Sequence, residues 1–237
     1  MLTAAGIAKA IDHALLRANL ADGEVESGCL VAVRYGVASV CLRPADVMRG
    51  RGLLAGSDVL LTTVIGFPMG ANTTAVKLRE TEDAIADGCQ EVDAVLNIGK
   101  LLSHDLGYVE QEVGSIVRLC HGGNVSAKII LENYYLSDEL KETACRICSA
   151  AGADYVKTST GFAPGGATVS DVRLMVEAAG PGAKVKAAGG IRTLDDVLAF
   201  LAAGAHRIGT SNTEAILEEA SWRQTRGELR AIHWLNR

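Results

Sequence analysis

Short apolar runs alternate along this chain with stretches in which apolar residues recur every three or four positions. One phrase repeats: a helical stretch ends in glycine, and an apolar strand follows at once. It occurs as RYGVASVCL (34–42), ADGCQEVDAVLNIG (86–99), AAGADYVKTS (150–159) and AAGAHRIGTS (202–211). Glycine after a last helical turn suits a C-cap, because it accepts the left-handed backbone. SDVLLTTVIGF (57–67), SAKIILEN (126–133) and AKVKAAGG (183–190) read as further strands, and KAIDHALL (9–16) supplies the first, making eight. The intervening amphipathic stretches read as helices: TTAVKLRETEDAIADG (73–88), with Val76, Ala84 and Ile85 on its apolar face; SDELKETACRICSAAG (137–152), opened by Ser137, with Leu140, Ala144, Cys145 and Cys148 on its apolar face; DVRLMVEAAG (171–180); and TLDDVLAFLAAG (193–204), capped by Thr193.

Strands alternating with helices at this spacing predict a parallel sheet. Eight such units predict a closed (β/α)8 TIM barrel of the α/β class, with a short N-terminal helix, rather than an open doubly wound sheet. No Pro/Ser-rich linker interrupts residues 1–237, so one domain is expected. Hydrophobic residues make up 49% of the chain and aromatics 4%, which predicts a large aliphatic core.

The formal net charge of −5 argues against nucleic acid or an anionic membrane as partner. No apolar run reaches membrane-spanning length. MLTAAGIAKAIDHALL carries Lys9 and Asp12 inside any apolar stretch, so a signal peptide is not expected. The six cysteines are scattered in a chain too large to need disulfide staples, which predicts reduced thiols and a cytoplasmic location. Cys145 and Cys148 form a CxxC within a helical pattern and read as buried thiols rather than as a redox or zinc pair. His13, His104, His121, His206 and His233 show no ligand spacing, so no metal site is expected.

Charges inside the apolar runs point to chemistry. Lys157 and Lys186 each end a run with the composition of a buried parallel strand, where lysine is rarely tolerated unless paired or functional. They stand 29 residues apart, one strand–helix unit, and so belong on neighbouring strands about 5 Å apart. An ordinary lysine, with a pKa of about 10.4, has under about 0.1% free amine at pH 7. A second ammonium nearby raises the cost of charge and leaves an amine able to form a Schiff base with a carbonyl. Asp93, inside VDAVLN, lies on the strand alternate to that of Lys157. It can face Lys157 across the barrel mouth, either as a proton shuttle or as a structural ion pair. The other polar groups expected at the strand ends are Asn97, Glu132, Asn133, Thr158 and Ser159.

Two glycine-bearing loops suggest a phosphate site. Gly189 and Gly190 follow the seventh strand; Gly209, Ser211 and Asn212 follow the eighth and open a helix, with Gly161 a third edge after the sixth. In this fold the loops after strands seven and eight often hold phosphate on backbone N–H groups and a helix N-terminus. Asp12 lines the site from the first strand or caps the N-terminal helix. Cys41 lines the pocket or serves as a small buried hydrophobe. Lys77 and Arg79 read as members of a solvated helix face.

VIGFPMGANTTAVKLRE (64–80), EVDAVLNIG (91–99), DYVKTSTGF (154–162), GGATVSDVRLM (165–175), VKAAGGIRT (185–193) and RIGTS (207–211) resemble the deoxyribose-phosphate aldolases, a family of class I aldolases. The resemblance runs from IDHALL (11–16) to about Leu217. It implies a Schiff base on Lys157, Lys186 as the group that depresses the pKa of Lys157, and Asp93 as proton relay. It implies phosphate binding by Gly161, Gly189, Gly190, Gly209 and Ser211; Asn212 and Thr158 are added to the candidate phosphate-binding residues from their own positions in the chain. The implied reaction is reversible cleavage of 2-deoxy-D-ribose 5-phosphate to D-glyceraldehyde 3-phosphate and acetaldehyde, with no metal or organic cofactor; the partners are small phosphosugars and aldehydes, and a homodimer is compatible with the sequence. The chain departs from the family's pattern at Ala14, where IDHT is usual, at GTSNT, where GTSSG is usual, and at its end, AIHWLNR, where some members carry a tyrosine that folds over the site. Two rivals share the barrel. A phosphosugar isomerase or epimerase would use carboxylate or histidine bases, and a non-catalytic phosphometabolite binder would keep the glycine loops without needing the lysines and Asp93 together.

Overall fold

The computed structural model describes residues 2–229; the tail AIHWLNR and His233 lie outside the described residues. Among the described residues there are eight strands: β1 (Ile11–Leu15), β2 (Ser39–Leu42), β3 (Leu60–Ile65), β4 (Glu91–Val95), β5 (Ser126–Ile130), β6 (Tyr155–Lys157), β7 (Lys184–Ala188) and β8 (Arg207–Thr210). Every pairing is parallel, each strand joins the next in sequence, and β8 returns to β1 to close the barrel. The helices are α1 (Ala4–Ala8), α2 (Asp22–Tyr35), α3 (Val47–Leu53), α4 (Thr74–Ala86), α5 (Ile98–Leu102), α6 (Leu106–Gly122), α7 (Asp138–Ala150), α8 (Val169–Ala179), α9 (Leu194–Ala202) and α10 (Thr213–Thr225).

Each strand falls within the run that predicted it, because a strand covered on both faces must be apolar nearly throughout. β2, β4, β6 and β8 are buried at every position. The helix starts follow their caps: the hydroxyls of Thr73, Ser137 and Thr193 accept from the N–H groups of Val76, Leu140 and Asp196. Leu140, Ala144, Cys145 and Cys148 all face the core from α7, and all six cysteines are buried and unpaired. Burial pushes the Cys145 thiol up to about 12, so it is inert as a nucleophile.

One of the two readings open for Asp12 is excluded, and the solvated reading of Lys77 fails. α1 is capped by the Thr3 hydroxyl, which accepts from Gly6 N–H, and Asp12 lies beyond the helix within β1; its alternative role as a cap is therefore excluded. On α4 one of the three apolar positions departs from the expected face, while Ala84 and Ile85 pack toward the core. Val76 is 47% exposed, while Lys77, Thr81 and Ala84 turn inward. Lys77 is not solvated: its Nζ lies 2.9 Å from Glu112 Oε2 on α6 and donates to Val95 O at 2.8 Å. Glu112 also accepts from Asn97 N–H at 2.9 Å, so the pair fastens two helices to the end of β4. Arg79 is on the solvated face, as expected.

Candidate active site

The C-terminal ends of the strands open into a cavity of ≈ 350 Å³. Asp12, Cys41, Lys157 and Lys186 reach it from β1, β2, β6 and β7. Lys157 and Lys186 are register partners, the arrangement that their sequence spacing predicts. Both donate to one oxygen, Asp93 Oδ2, each at 2.7 Å. Asp93 is fully buried, and Lys157 and Lys186 are 3% and 1% exposed.

Lys186 has a second anion, Asp12 Oδ2, at 2.5 Å. Below this layer lies another that the sequence reading missed. Lys128 Nζ stands 2.9 Å from Asp93 Oδ1, 2.6 Å from Glu91 Oε2 and 3.9 Å from Asp12 Oδ2. Arg207 pairs with Asp12 and, at 3.0 Å, with Glu91. The rule that singled out Lys157 applies equally to Lys128 in SAKIILEN and to Arg207 in HRIGTS. Both lie deeper than the strand ends, where active-site residues of this fold gather.

The electrostatics separate the lysines. Burial drives the Lys157 ammonium below its ordinary pKa; Asp93 opposes this and Lys186 adds to it. Desolvation thus precedes lysine–lysine repulsion as the cause, a correction to the order expected from the sequence. Lys186 goes the other way: burial would lower it, but Asp12 and Asp93 raise it above the ordinary value. Burial would also raise Asp93, yet Lys128, Lys157 and Lys186 hold it well below the carboxylate range. Burial pushes the Cys41 thiol to about 12. The site therefore combines one amine shifted toward the neutral form, one lysine shifted toward the ammonium and, buried between them, one carboxyl shifted toward the ionised form.

Gly161, Gly189, Gly190, Gly209, Ser211 and Asn212 line the same cavity. Gly209 is required by close packing: a Cβ there would stand 2.9 Å from Ala188 Cβ and 3.4 Å from Lys186 Cε. Gly189 has φ +89°, and a Cβ would meet Gly166 Cα at 3.0 Å. Asn212 is the N-cap residue of α10, so that helix's N-terminus borders the cavity. Arg17 and Arg192 also line it; sequence reasoning missed both, although Arg192 directly follows the GGI run.

Other expected residues serve the frame. The Thr158 hydroxyl donates to Ala188 O at 3.0 Å and accepts from Ala188 N–H at 3.1 Å, which ties β6 to β7 and leaves it off the cavity wall. Asn97 caps α5 through Lys100 N–H, and Asn133 Nδ2 meets Met175 Sδ. Glu132, at φ +55°, accepts from the N–H and hydroxyl of Thr160 and so anchors the loop that carries Gly161. Ser159 is buried, and its hydroxyl has no partner. No group of histidine, cysteine and acidic residues suited to a metal ion occurs among the described residues. No helix among them is long and apolar enough to cross a membrane.

A buried amine biased toward neutrality at a barrel mouth is the equipment of an enzyme that works on carbonyls. The DeoC/LacD family aldolase model matches residues 7–218, and the chain belongs to that family of aldolases. A deoxyribose-phosphate aldolase of Thermoanaerobacter sp. (strain X514) is 49% identical over 214 residues, covering 90% of this chain and 96% of that protein. One from Rhodopirellula baltica (strain DSM 10527 / NCIMB 13988 / SH1) is 46% identical, covering 90% and 89%. Among solved structures, a putative deoxyribose-phosphate aldolase from Coccidioides immitis superposes with a TM-score of 0.89 at 36% identity, covering 92% of this chain and 87% of that one. A tetrameric deoxyribose phosphate aldolase from Aeropyrum pernix gives 0.86 at 34% identity, covering 92% of both.

Proposed function

We propose that this enzyme reversibly cleaves 2-deoxy-D-ribose 5-phosphate to D-glyceraldehyde 3-phosphate and acetaldehyde through a Schiff base on Lys157. The observation that carries the reading is the sharing of Asp93 Oδ2 by Lys157 and Lys186, each at 2.7 Å, inside a family whose relatives are named for this aldolase activity.

In the cleavage direction the Lys157 amine attacks the C1 aldehyde of the open-chain sugar. The carbinolamine loses water to give an iminium. A base takes the C3 hydroxyl proton, the C2–C3 bond breaks, and its electron pair enters the iminium to form an enamine. D-Glyceraldehyde 3-phosphate leaves with C3 as its aldehyde carbon. The enamine is then protonated at C2, and water releases acetaldehyde and the free amine. In this scheme Asp93, within 2.7 Å of both lysines, exchanges protons with Lys157. Lys186 keeps its charge and supplies a positive field that disfavours the Lys157 ammonium.

The phosphate end belongs to the other wall. Gly189, Gly190 and Gly209 let backbone N–H groups approach the oxygens, the α10 N-terminus favours an anion, and Ser211 and Asn212 add polar side chains. Arg17 and Arg192 add cationic charge at the rim. The scheme asks for no group beyond these side chains. A cytoplasmic location is part of the same reading, supported by six unpaired thiols.

Incubation with 2-deoxyribose 5-phosphate should yield acetaldehyde and a triose phosphate in equal amounts. A product of unchanged mass would instead identify an isomerase or epimerase, and binding without turnover would identify the non-catalytic barrel.

A further inference from the structure

The layer beneath Lys157 has a composition that its neighbours do not explain. Four cations, Lys128, Lys157, Lys186 and Arg207, meet three anions, Asp12, Glu91 and Asp93, and each of these seven residues is buried. A buried cluster with an unbalanced charge relieves itself by losing a proton. Arg207 cannot supply that proton, because guanidinium stays charged in proteins. Lys186 has Asp12 and Asp93, and Lys128 has Glu91 and Asp93. Among the described residues Asp93 is the one carboxylate that Lys157 contacts, at the oxygen that it shares with Lys186. The other titratable groups around Lys157 are the Cys41 thiol on β2 and Glu132 beyond β5, whose carboxylate is turned to Thr160.

We propose that Lys128, which does not line the cavity, is a positioning residue for the reaction: it occupies Asp93 Oδ1 and supplies the surplus cation of the cluster, so that Lys157 is the amine left to be neutral. This rests on the Schiff-base reading of Lys157. Lys128 has no route to the substrate, and its effect passes through Asp93 and the net charge. The groups facing it are Glu91 and Asp93 on β4, Asp12 on β1, Lys186 on β7 and Arg207 on β8, with the Cys41 and Cys89 thiols nearby.

The test is the pH dependence of reductive trapping of acetaldehyde on the Lys157 peptide, read by mass spectrometry beside the steady-state rate. Lys128→Met leaves three cations for three anions, so Lys157 can keep its proton. The acidic limb should move alkaline by about one pH unit or more, with about a tenfold or greater loss at pH 7 that is recovered at high pH. Lys128→Arg should retain the wild-type midpoint. Adding Glu91→Gln to Lys128→Met restores the surplus and should move the limb back, where structural damage would only accumulate. Glu91→Gln alone enlarges the surplus and should move the limb acid, which keeps the test open if Lys128→Met does not fold. A Lys128→Met enzyme that loses rate with an unmoved midpoint, or a Glu91→Gln enzyme whose limb stays or moves alkaline, would overturn the inference. Absence of any Lys157 adduct in the unmodified enzyme would overturn the Schiff-base reading as well.

Discussion

Lys157 and Lys186 donate to the same oxygen, Asp93 Oδ2, each from 2.7 Å, although one is biased toward the free amine and the other toward the ammonium. Their difference lies in the second anion. Asp12 stands 2.5 Å from Lys186, whereas Lys157 has no carboxylate but Asp93 within ion-pair range among the described residues. Two chemically identical side chains on adjacent strands are thus shifted in opposite directions from the ordinary lysine pKa, a pattern that often marks acid–base division of labour.

Lys186→Leu should slow the enzyme through pH rather than through binding. The two nitrogens are no more than twice 2.7 Å apart. At that range, and at an effective dielectric near 20, two unit charges repel by about 3 kcal/mol, or about two pKa units. Removing Lys186 also leaves Asp93 Oδ2 to Lys157 alone, which acts in the same direction. The Lys157 pKa should rise, activity at pH 7 should fall about a hundredfold or more, and part should return at alkaline pH. A pH–rate profile whose acidic midpoint stays at the wild-type value would show that Lys186 acts by direct proton transfer or substrate contact.

Ser211→Asp sets a carboxylate against the proposed phosphate wall. Affinity for 2-deoxyribose 5-phosphate should drop sharply, while cleavage of unphosphorylated deoxyribose changes little. Comparison of kcat/KM on the two substrates is the measurement. Equal losses would assign the loop a purely structural role.

Lys77→Met breaks a fully buried ion pair and strands the Glu112 carboxylate. Unfolding free energy from denaturant titration should fall by about 3–5 kcal/mol. Lys77→Met combined with Glu112→Leu should cost less than the sum of the two single changes, since no lone charge remains. A loss below about 0.5 kcal/mol for Lys77→Met would mean that the side chain reaches water after all.

The barrel was legible because parallel strands advertise themselves as apolar runs punctuated by glycine. Lys157, Lys186 and Asp93 were legible because a charge inside such a run needs a reason. Lys128, Glu91 and Arg207 carry the same signal one layer deeper than the strand ends, so strand-end position does not single them out. Lys77 gave no local signal: its partner Glu112 comes from another helix, and Val76 beside it mimicked a core position. Thr158 follows an inward Lys157, and strand alternation turns it away from the cavity, where the Ala188 backbone satisfies its hydroxyl.

The central claim is that Lys157 carries the covalent chemistry. Acetaldehyde followed by borohydride should add one ethyl group to the peptide containing Lys157, and Lys157→Leu should abolish both that adduct and turnover. An adduct confined to exposed lysines such as Lys9 or Lys184, with Lys157 unmodified during turnover, would contradict the account.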